Sequence, residues 1–403
     1  MISLKHVTAI LLLLTLAAAM PTSVTGWSVE GHRAISTVAC EFLPNPWKDF
    51  FCYYAWLLGE TSQYPDTLYR AADPNEGPRH YVDLEVWSPN NPSTGTLPQA
   101  VNEFTLKMES EIRSGQWNEM FLDAGRVSHY VADLTQPYHT TVNYNPVANG
   151  VGLHEVLDSA LADHWAELHI LTPSDVEPLT PVSNITRFVF DLAWQSHSFL
   201  PTINRTLIDE GLQWSPELTQ IIQNRTNTAI LAVARIWYTA IAGAKLPPPN
   251  LPRVNGLSIH VEDVSLKTSS ISTIRLNVTD LLGVKTYADV RLHAGGSVFR
   301  GQVANVIPPV GEYVVILGPG NYLGNLTLTA ESDGYGTAVA TLTLTHVQTA
   351  ISTEIEVTTS SPSTVPISPG IAGYLPAQTI VGIFVMIVAL AVLLVYLRRS
   401  KGS

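Results

Sequence analysis

Three consecutive prolines, Pro247, Pro248 and Pro249, separate two hydrophobic periodicities in a chain of 403 residues, and no other feature limits its fold as much. Proline lacks the backbone N–H and clashes with the preceding turn, so a helix cannot run through such a stretch. Before it, apolar residues recur every three or four positions, as one face of a helix requires. Pro98–Arg113 places Val101, Phe104, Leu106 and Met108 among charges, and Asn118–Leu134 and Leu153–Leu168 repeat the pattern. Pro216–Ala244 reads as one long helix whose apolar stretch Ile230–Ala242 predicts a buried central element. After the prolines the period falls to two. Thr273–Val278, Tyr313–Leu317, Leu326–Ala330 and Ala338–Leu344 alternate and are rich in Thr, Val, Ile and Leu, with Gly and Asp between them, which predicts a β-sandwich.

The two ends carry different signals. Met1–Gly26 has Lys5 and His6, an apolar stretch to Met20, and small residues at Val24 and Gly26, the third and first positions before a signal-peptidase cut. Cleavage there would make Trp27 the first residue; an uncleaved anchor is the alternative. The uncharged run Ala377–Leu397 is long enough to cross a bilayer and is followed by Arg398, Arg399 and Lys401. The expected organisation is a signal peptide over 1–26, a helical domain over 27–246 and a proline-rich linker over 247–253. A β-sandwich domain over 254–357, a Ser/Thr/Pro-rich stalk over 358–376, a transmembrane helix over 377–397 and a basic cytoplasmic tail over 398–403 follow. Such a chain would sit in the cell membrane by a single pass, its larger part extracellular. Five N-x-S/T triplets, at Asn184, Asn204, Asn224, Asn277 and Asn325, agree with export. Cys40 and Cys52 are the only cysteines; pairing and two free buried thiols are both open.

The formal charge of −12 argues against an electrostatic nucleic-acid binder, although bound metal can supply positive charge locally. The histidines point to metal. His129 and Asp133 are four apart and share a helix face; His154 and Asp158 repeat the spacing; His139 lies between, after a proline that ends the first helix. A lone histidine on such a face is usually a hydrogen-bonded core residue, but two such pairs with a third histidine between them favour zinc. His32, Asp66 and His80 come from separate segments, and Asp66 alone would read as a turn residue.

The segments Trp27–His32 (WSVEGH), Pro78–Glu85 (PRHYVDLE), Ser128–His139 (SHYVADLTQPYH) and Gly152–Leu161 (GLHEVLDSAL) resemble the motifs of the zinc-dependent phospholipase C superfamily, which includes single-strand-specific nucleases. The resemblance covers about 27–245 and implies a mainly α catalytic domain holding three zinc ions. It implies that Asp66, His80, His129 and one oxygen of Asp133 hold one ion, and His139, His154 and Asp158 a second. His32, the other Asp133 oxygen and the amine and carbonyl of Trp27 would hold the third. It also implies phosphate-ester hydrolysis by metal-activated water, with Asp66 accepting a proton.

The substrate is expected to be a phospholipid or single-stranded nucleic acid. Glu30 matches an acidic residue that faces a cationic headgroup in the phospholipase relatives, or is a solvated carboxylate at a helix start. Asp83 is nuclease-like. Tyr69 stands where those nucleases carry arginine, with Arg70 one place later, and only Asn149-Gly150-Val151-Gly152 stands where they have a glycine-rich insertion. The first expectation is a phospholipase C-like phosphodiesterase and the second a nuclease or nucleotidase. A surface adhesion protein with a retained metal fold is the reading from another class. The sequence points to no protein partner.

Overall fold

The computed structural model describes residues 27–209, 212–251, 256–265, 272–294, 301–306, 309–317, 324–332, 335–344 and 356–360. The signal segment, the stalk and the apolar run at 377–397 lie outside the described residues. No helix among the described residues is long and apolar enough to cross a membrane.

The N-terminal part is mainly helical. Helix α1 is Val29–Ala39, α2 Trp47–Tyr53, α3 Ala55–Thr61, α4 Leu97–Ser114, α5 Trp117–Thr135, α6 Leu153–Asp163, α7 Ile185–His197, α8 Leu200–Asp209 and α9 Pro216–Ala244. Their ends follow from local chemistry. Ser28 caps α1 by accepting from the Gly31 N–H, and Ser215 caps α9 from the Leu218 N–H, with Pro216 at the first helical position. Gly115 closes α4 in the left-handed region at φ 72°. The helix expected over Leu153–Leu168 stops at Asp163. There His164 stacks on Trp214, ring centroids 3.7 Å apart, and meets Glu167 Oε1 at 2.8 Å, so a short 3-10 turn replaces the last helical turn.

Helix α5 is the centre of this part. From Val127 to Thr135 every residue is buried. Helix α9 packs along it, and Trp237 donates its indole N–H to the Ala124 carbonyl at 3.0 Å. Gly125 lets α3 cross α5 closely: an alanine Cβ there would lie 2.6 Å from the Thr61 carbonyl carbon. Cys40 and Cys52 form a disulfide, joining the end of α1 to α2.

A β-sheet region follows. A short hairpin within the helical part supplies β1 (Val147–Ala148) and β2 (Val151–Gly152). Strands β3 (Leu257–Ser265), β4 (Ser272–Asp280), β7 (Glu312–Leu317) and β6 (Gly301–Val306) form one antiparallel sheet in that order. Strands β10 (Glu356–Ser360), β9 (Gly336–Leu344), β8 (Gly324–Ser332) and β5 (Asp289–Ala294) form another. Ile274, Leu276 and Val278 from the first and Leu326, Leu328 and Ala330 from the second alternate into one buried cluster. The strand region is joined to the helices by polar contacts. Tyr54 donates to Asp280 Oδ2 at 2.6 Å, and the Val310 N–H donates to the Tyr64 hydroxyl at 2.9 Å.

Candidate metal centre

Helix α5 carries His129 and Asp133 on its buried face, both fully enclosed. The chain then leaves helical geometry at Gln136. A 3-10 turn over Pro137–Thr140 brings His139 back beside them. The strand-like stretch after His80 pairs with this turn, the Val82 N–H donating to the His139 carbonyl at 2.9 Å. His80 and His139 are thereby fixed relative to each other by backbone. On the other side, Asn149 and Gly150, both at positive φ, turn the β1–β2 hairpin and deliver the chain into α6, which carries His154 and Asp158. The asparagine–glycine pair in place of a longer insertion is therefore a hairpin turn.

Asp133 is the hub. Its Oδ1 lies 3.3 Å from His32 Nε2; its Oδ2 lies 3.0 Å from His80 Nδ1, 3.2 Å from His129 Nε2 and 3.9 Å from His139 Nδ1. Asp66 faces the same space, 3.5 Å from His80 Nδ1 and 3.7 Å from His129 Nε2. Two sets of three have all their donor atoms within 4.8 Å of one another: His32, His129 and Asp133, and Asp66, His80 and His129. The remaining trio is looser: the rings of His139 and His154 are 4.8 Å apart, and His154 Nε2 lies 3.5 Å from Asp158 Oδ2.

Trp27 is fully buried. Its indole N–H donates to Thr135 Oγ1 at 3.3 Å, and the next residue, Ser28, donates its N–H to the Asp158 carbonyl at 3.4 Å. These contacts hold Trp27 and Ser28 against the end of α5 and against α6. Glu30 is exposed on the first turn of α1, and among the described residues no hydrogen bond or ion pair joins it to the cluster. Asp83 is half-buried; its backbone N–H donates to the Thr94 carbonyl, and burial together with nearby Glu85 raises its carboxyl pKa.

The donor set fits a cation. Buried side-chain atoms of His32, Asp133, His139 and His154 lack a hydrogen-bond partner here. An unpaired buried donor or acceptor is costly, and these atoms are of the kinds that zinc takes. Burial, reinforced by His129, lowers His32 to about 4. Burial also lowers His139, and holds His154 well below its usual range. Their lone pairs are accordingly available at neutral pH. Burial opposes a charge on His80, but Asp66, Asp133 and Glu76 prevail and raise it to about 9. Burial would likewise raise Asp133, yet His129 and His139 hold it well below the usual carboxylate range. Burial pushes Asp158 well above that range despite the hydrogen bond from Gln136, so a cation binding there would have to displace a proton.

Gln136 has no signal in the sequence, and Arg70 stands there only as a cation one place later than in the nucleases. Gln136 Nε2 donates to Asp158 Oδ1 at 2.6 Å, while its Oε1 accepts from the Tyr138 N–H, so it orients that carboxylate. Arg70 Nη2 lies 3.2 Å from Asp66 Oδ1. A π-helical turn covers Pro65–Tyr69, and Arg70, four residues after Asp66, lies on the same side as its carboxylate.

No protein-family profile matches the sequence, and no curated protein sequence matches it. Among solved structures, the alpha-toxin of an avian strain of Clostridium perfringens is similar at a TM-score of 0.42 and 11% identity, covering 84% of this chain and 97% of that one. The alpha toxin of Clostridium absonum is similar at a TM-score of 0.40 and 13% identity, covering 85% and 98%. Likeness this distant carries no argument about activity; the side chains do.

Proposed function

We propose that the chain is a zinc-dependent phosphoric ester hydrolase of the phospholipase C kind. The observation that carries this is the convergence of buried His and Asp donors on Asp133 from separate segments, with nitrogens of His32, His139 and His154 that lack a hydrogen-bond partner. Asp66, His80 and His129 would hold one ion with Asp133 Oδ2, and His32 would hold another with Asp133 Oδ1 and the backbone of Trp27. His139, His154 and Asp158 would hold a third. Zinc bound there would supply Lewis acidity toward a phosphoryl oxygen and lower the pKa of water near it. Asp66, which faces both the cluster and Arg70, would accept a proton, and Arg70, paired with Asp66, would add positive charge near an anionic phosphate. The cluster lacks cysteine ligands, which dominate closed structural zinc sites, and this supports a reactive role.

The surroundings support a lipid substrate over a polyanion. From Val127 to Thr186 the sequence contains no lysine or arginine, whereas a groove for nucleic acid needs them. Val142, Tyr144, Val147 and Val151, on the segment between His139 and His154, are instead exposed apolar side chains, as is Val86 beside Glu85. Glu85 ties the two segments together, accepting from the Thr141 hydroxyl and from the Val142 N–H. Signal cleavage before Trp27, the C-terminal span and an extracellular active site complete the proposal, with the membrane as site of action. Arg70 beside Asp66 is the observation that favours a nuclease or nucleotidase as the second reading.

The test is zinc content together with parallel assays on zwitterionic phospholipid dispersions, single-stranded nucleic acid and a soluble aryl phosphodiester. Chelator-sensitive hydrolysis of the lipid and the aryl ester is expected. Less than one zinc per chain, or hydrolysis indifferent to its removal, would refute the proposal. Cleavage of nucleic acid alone would select the second reading.

A further inference from the structure

Of the two nitrogens of His80, Nδ1 faces the cluster, at 3.0 Å from both Asp133 Oδ2 and His129 Nε2. A neutral imidazole that gives its Nδ1 lone pair to a cation must carry its proton on Nε2, and that proton needs an acceptor. His80 is buried, so bulk water cannot serve, and Nε2 has no closer partner among the described residues than a single carboxylate. The group opposite it is Glu76 Oε1, at 3.5 Å.

Glu76 is itself only 1% exposed, an unusual place for a carboxylate. It is held from two sides: the Tyr130 hydroxyl donates to Oε1, and Arg79 Nη1 donates to Oε2 at 3.0 Å while also reaching Asp73. The 3-10 turn over Gly77–His80 sets Glu76 and His80 four residues apart on one side of the chain. Tyr130 follows His129 on α5, so the carboxylate is keyed to the helix that carries two of the cluster residues.

We infer that Glu76 is a positioning residue, accepting the Nε2 proton of His80 and fixing the tautomer and ring direction in which Nδ1 serves the cluster. This rests on the proposal that the cluster binds zinc. The outer nitrogens of the neighbouring ligands meet weaker acceptors: His129 Nδ1 lies 2.7 Å from the Ser62 carbonyl, and His139 Nδ1 meets the His80 carbonyl. A carboxylate makes an imidazole more basic than a carbonyl does, so the ion held by Asp66, His80 and His129 should be the most tightly bound. A merely structural Glu76, paired with Arg79 to close the turn, would have no such effect on metal.

The test is zinc competition against a chromogenic chelator on the full chain, with the parent, Glu76→Gln, Glu76→Leu and Tyr130→Phe. Loss of the carboxylate should weaken the tightest zinc by about 10- to 100-fold, with Glu76→Gln at the lower end and Tyr130→Phe milder still. Nitrogen-15 spectra of labelled histidine add a readout that needs neither activity nor zinc. The His80 Nε2 proton should exchange slowly in the parent and rapidly in Glu76→Leu. Unchanged zinc affinity in a folded Glu76→Gln and Glu76→Leu, or a His80 Nε2 proton insensitive to both, would overturn the inference. A parent that binds no zinc would sink the functional proposal instead, and the exchange readout would then decide the Glu76–His80 contact on its own.

Discussion

Replacing Gly125 with alanine sets two effects against each other. Mid-helix, alanine is favoured over glycine by about 1 kcal/mol. At this position, however, the new Cβ would lie 2.6 Å from the Thr61 carbonyl carbon, against an ordinary contact of about 3.5–4.0 Å. Thr61 cannot swing away, because its backbone carbonyl carbon is as near as its Cβ and its hydroxyl, nearer still, donates to the Leu57 carbonyl at 2.9 Å. Helices α3 and α5 must therefore part by about 1 Å, and overpacking of this kind costs about 1–3 kcal/mol. With backbone against helix the upper end applies, leaving a net loss of about 2 kcal/mol, or roughly 4–8 °C in Tm. The displacement also has a direction. The residue after Thr61 is Ser62, whose carbonyl lies 2.7 Å from His129 Nδ1, so parting the helices withdraws the acceptor that aims His129. Thermal unfolding and zinc competition should both register Gly125→Ala. A Tm at or above the parent's would mean that helix propensity wins and that α3 and α5 are not in backbone contact. A lowered Tm with intact zinc affinity would refute the link through Ser62.

Other perturbations probe separate parts of the chain. Asp133→Asn keeps the shape but removes the charge shared by His32, His80 and His129, so zinc content should fall by more than one ion per chain, while Glu30→Gln leaves it unchanged; plasma emission spectrometry reads both. Tyr54→Phe leaves buried Asp280 Oδ2 without its donor, a loss of roughly 1.5–3 kcal/mol that denaturant titration would show; a midpoint within error of the parent's would contradict the contact. Glu111 is pushed up to about 8 by burial, by Asp123 and by Glu119, with Lys107 opposing, and Arg126 pairs with Asp123 beside it. A carboxyl raised in the folded state binds its proton more tightly there than when unfolded, so its contribution to stability is lost as pH rises toward and through 8. Stability should thus decline from pH 6 to 9 more steeply in the parent than in Glu111→Gln, and equal slopes would refute this.

The elements readable in sequence were those whose own residues determine them. Pro216–Ala244 has its capping serine, its first-turn proline and a continuous apolar face, and its observed bounds coincide with the reading. The four named strand segments fall within β4, β7, β8 and β9, where inward residues alternate cleanly. Strand β3 carries no clean period of two, since His260, Glu262 and Asp263 break its alternation and a bulge shifts its register between Val261 and Asp263. The same distinction runs through the site. The His-x-x-x-Asp pairs announce themselves because one helix presents both donors. That Asp133 faces His32 with one oxygen and His80 with the other depends on segments about a hundred and about fifty residues away, so spacing alone is silent on it and only the resemblance implies it. Arg70 shows how counting misleads: four residues from Asp66 instead of three looks like a displaced cation, but residues four apart share a face of a helical turn and the ion pair forms at 3.2 Å. Glu76 and Gln136 left still less trace, because each acts on another side chain and neither belongs to a recognisable ligand spacing. Spacing therefore singles out the two His-x-x-x-Asp pairs and His139, whereas His32, Asp66 and His80 enter only through the resemblance. The groups that orient these side chains are found only when the chain has been brought together around them.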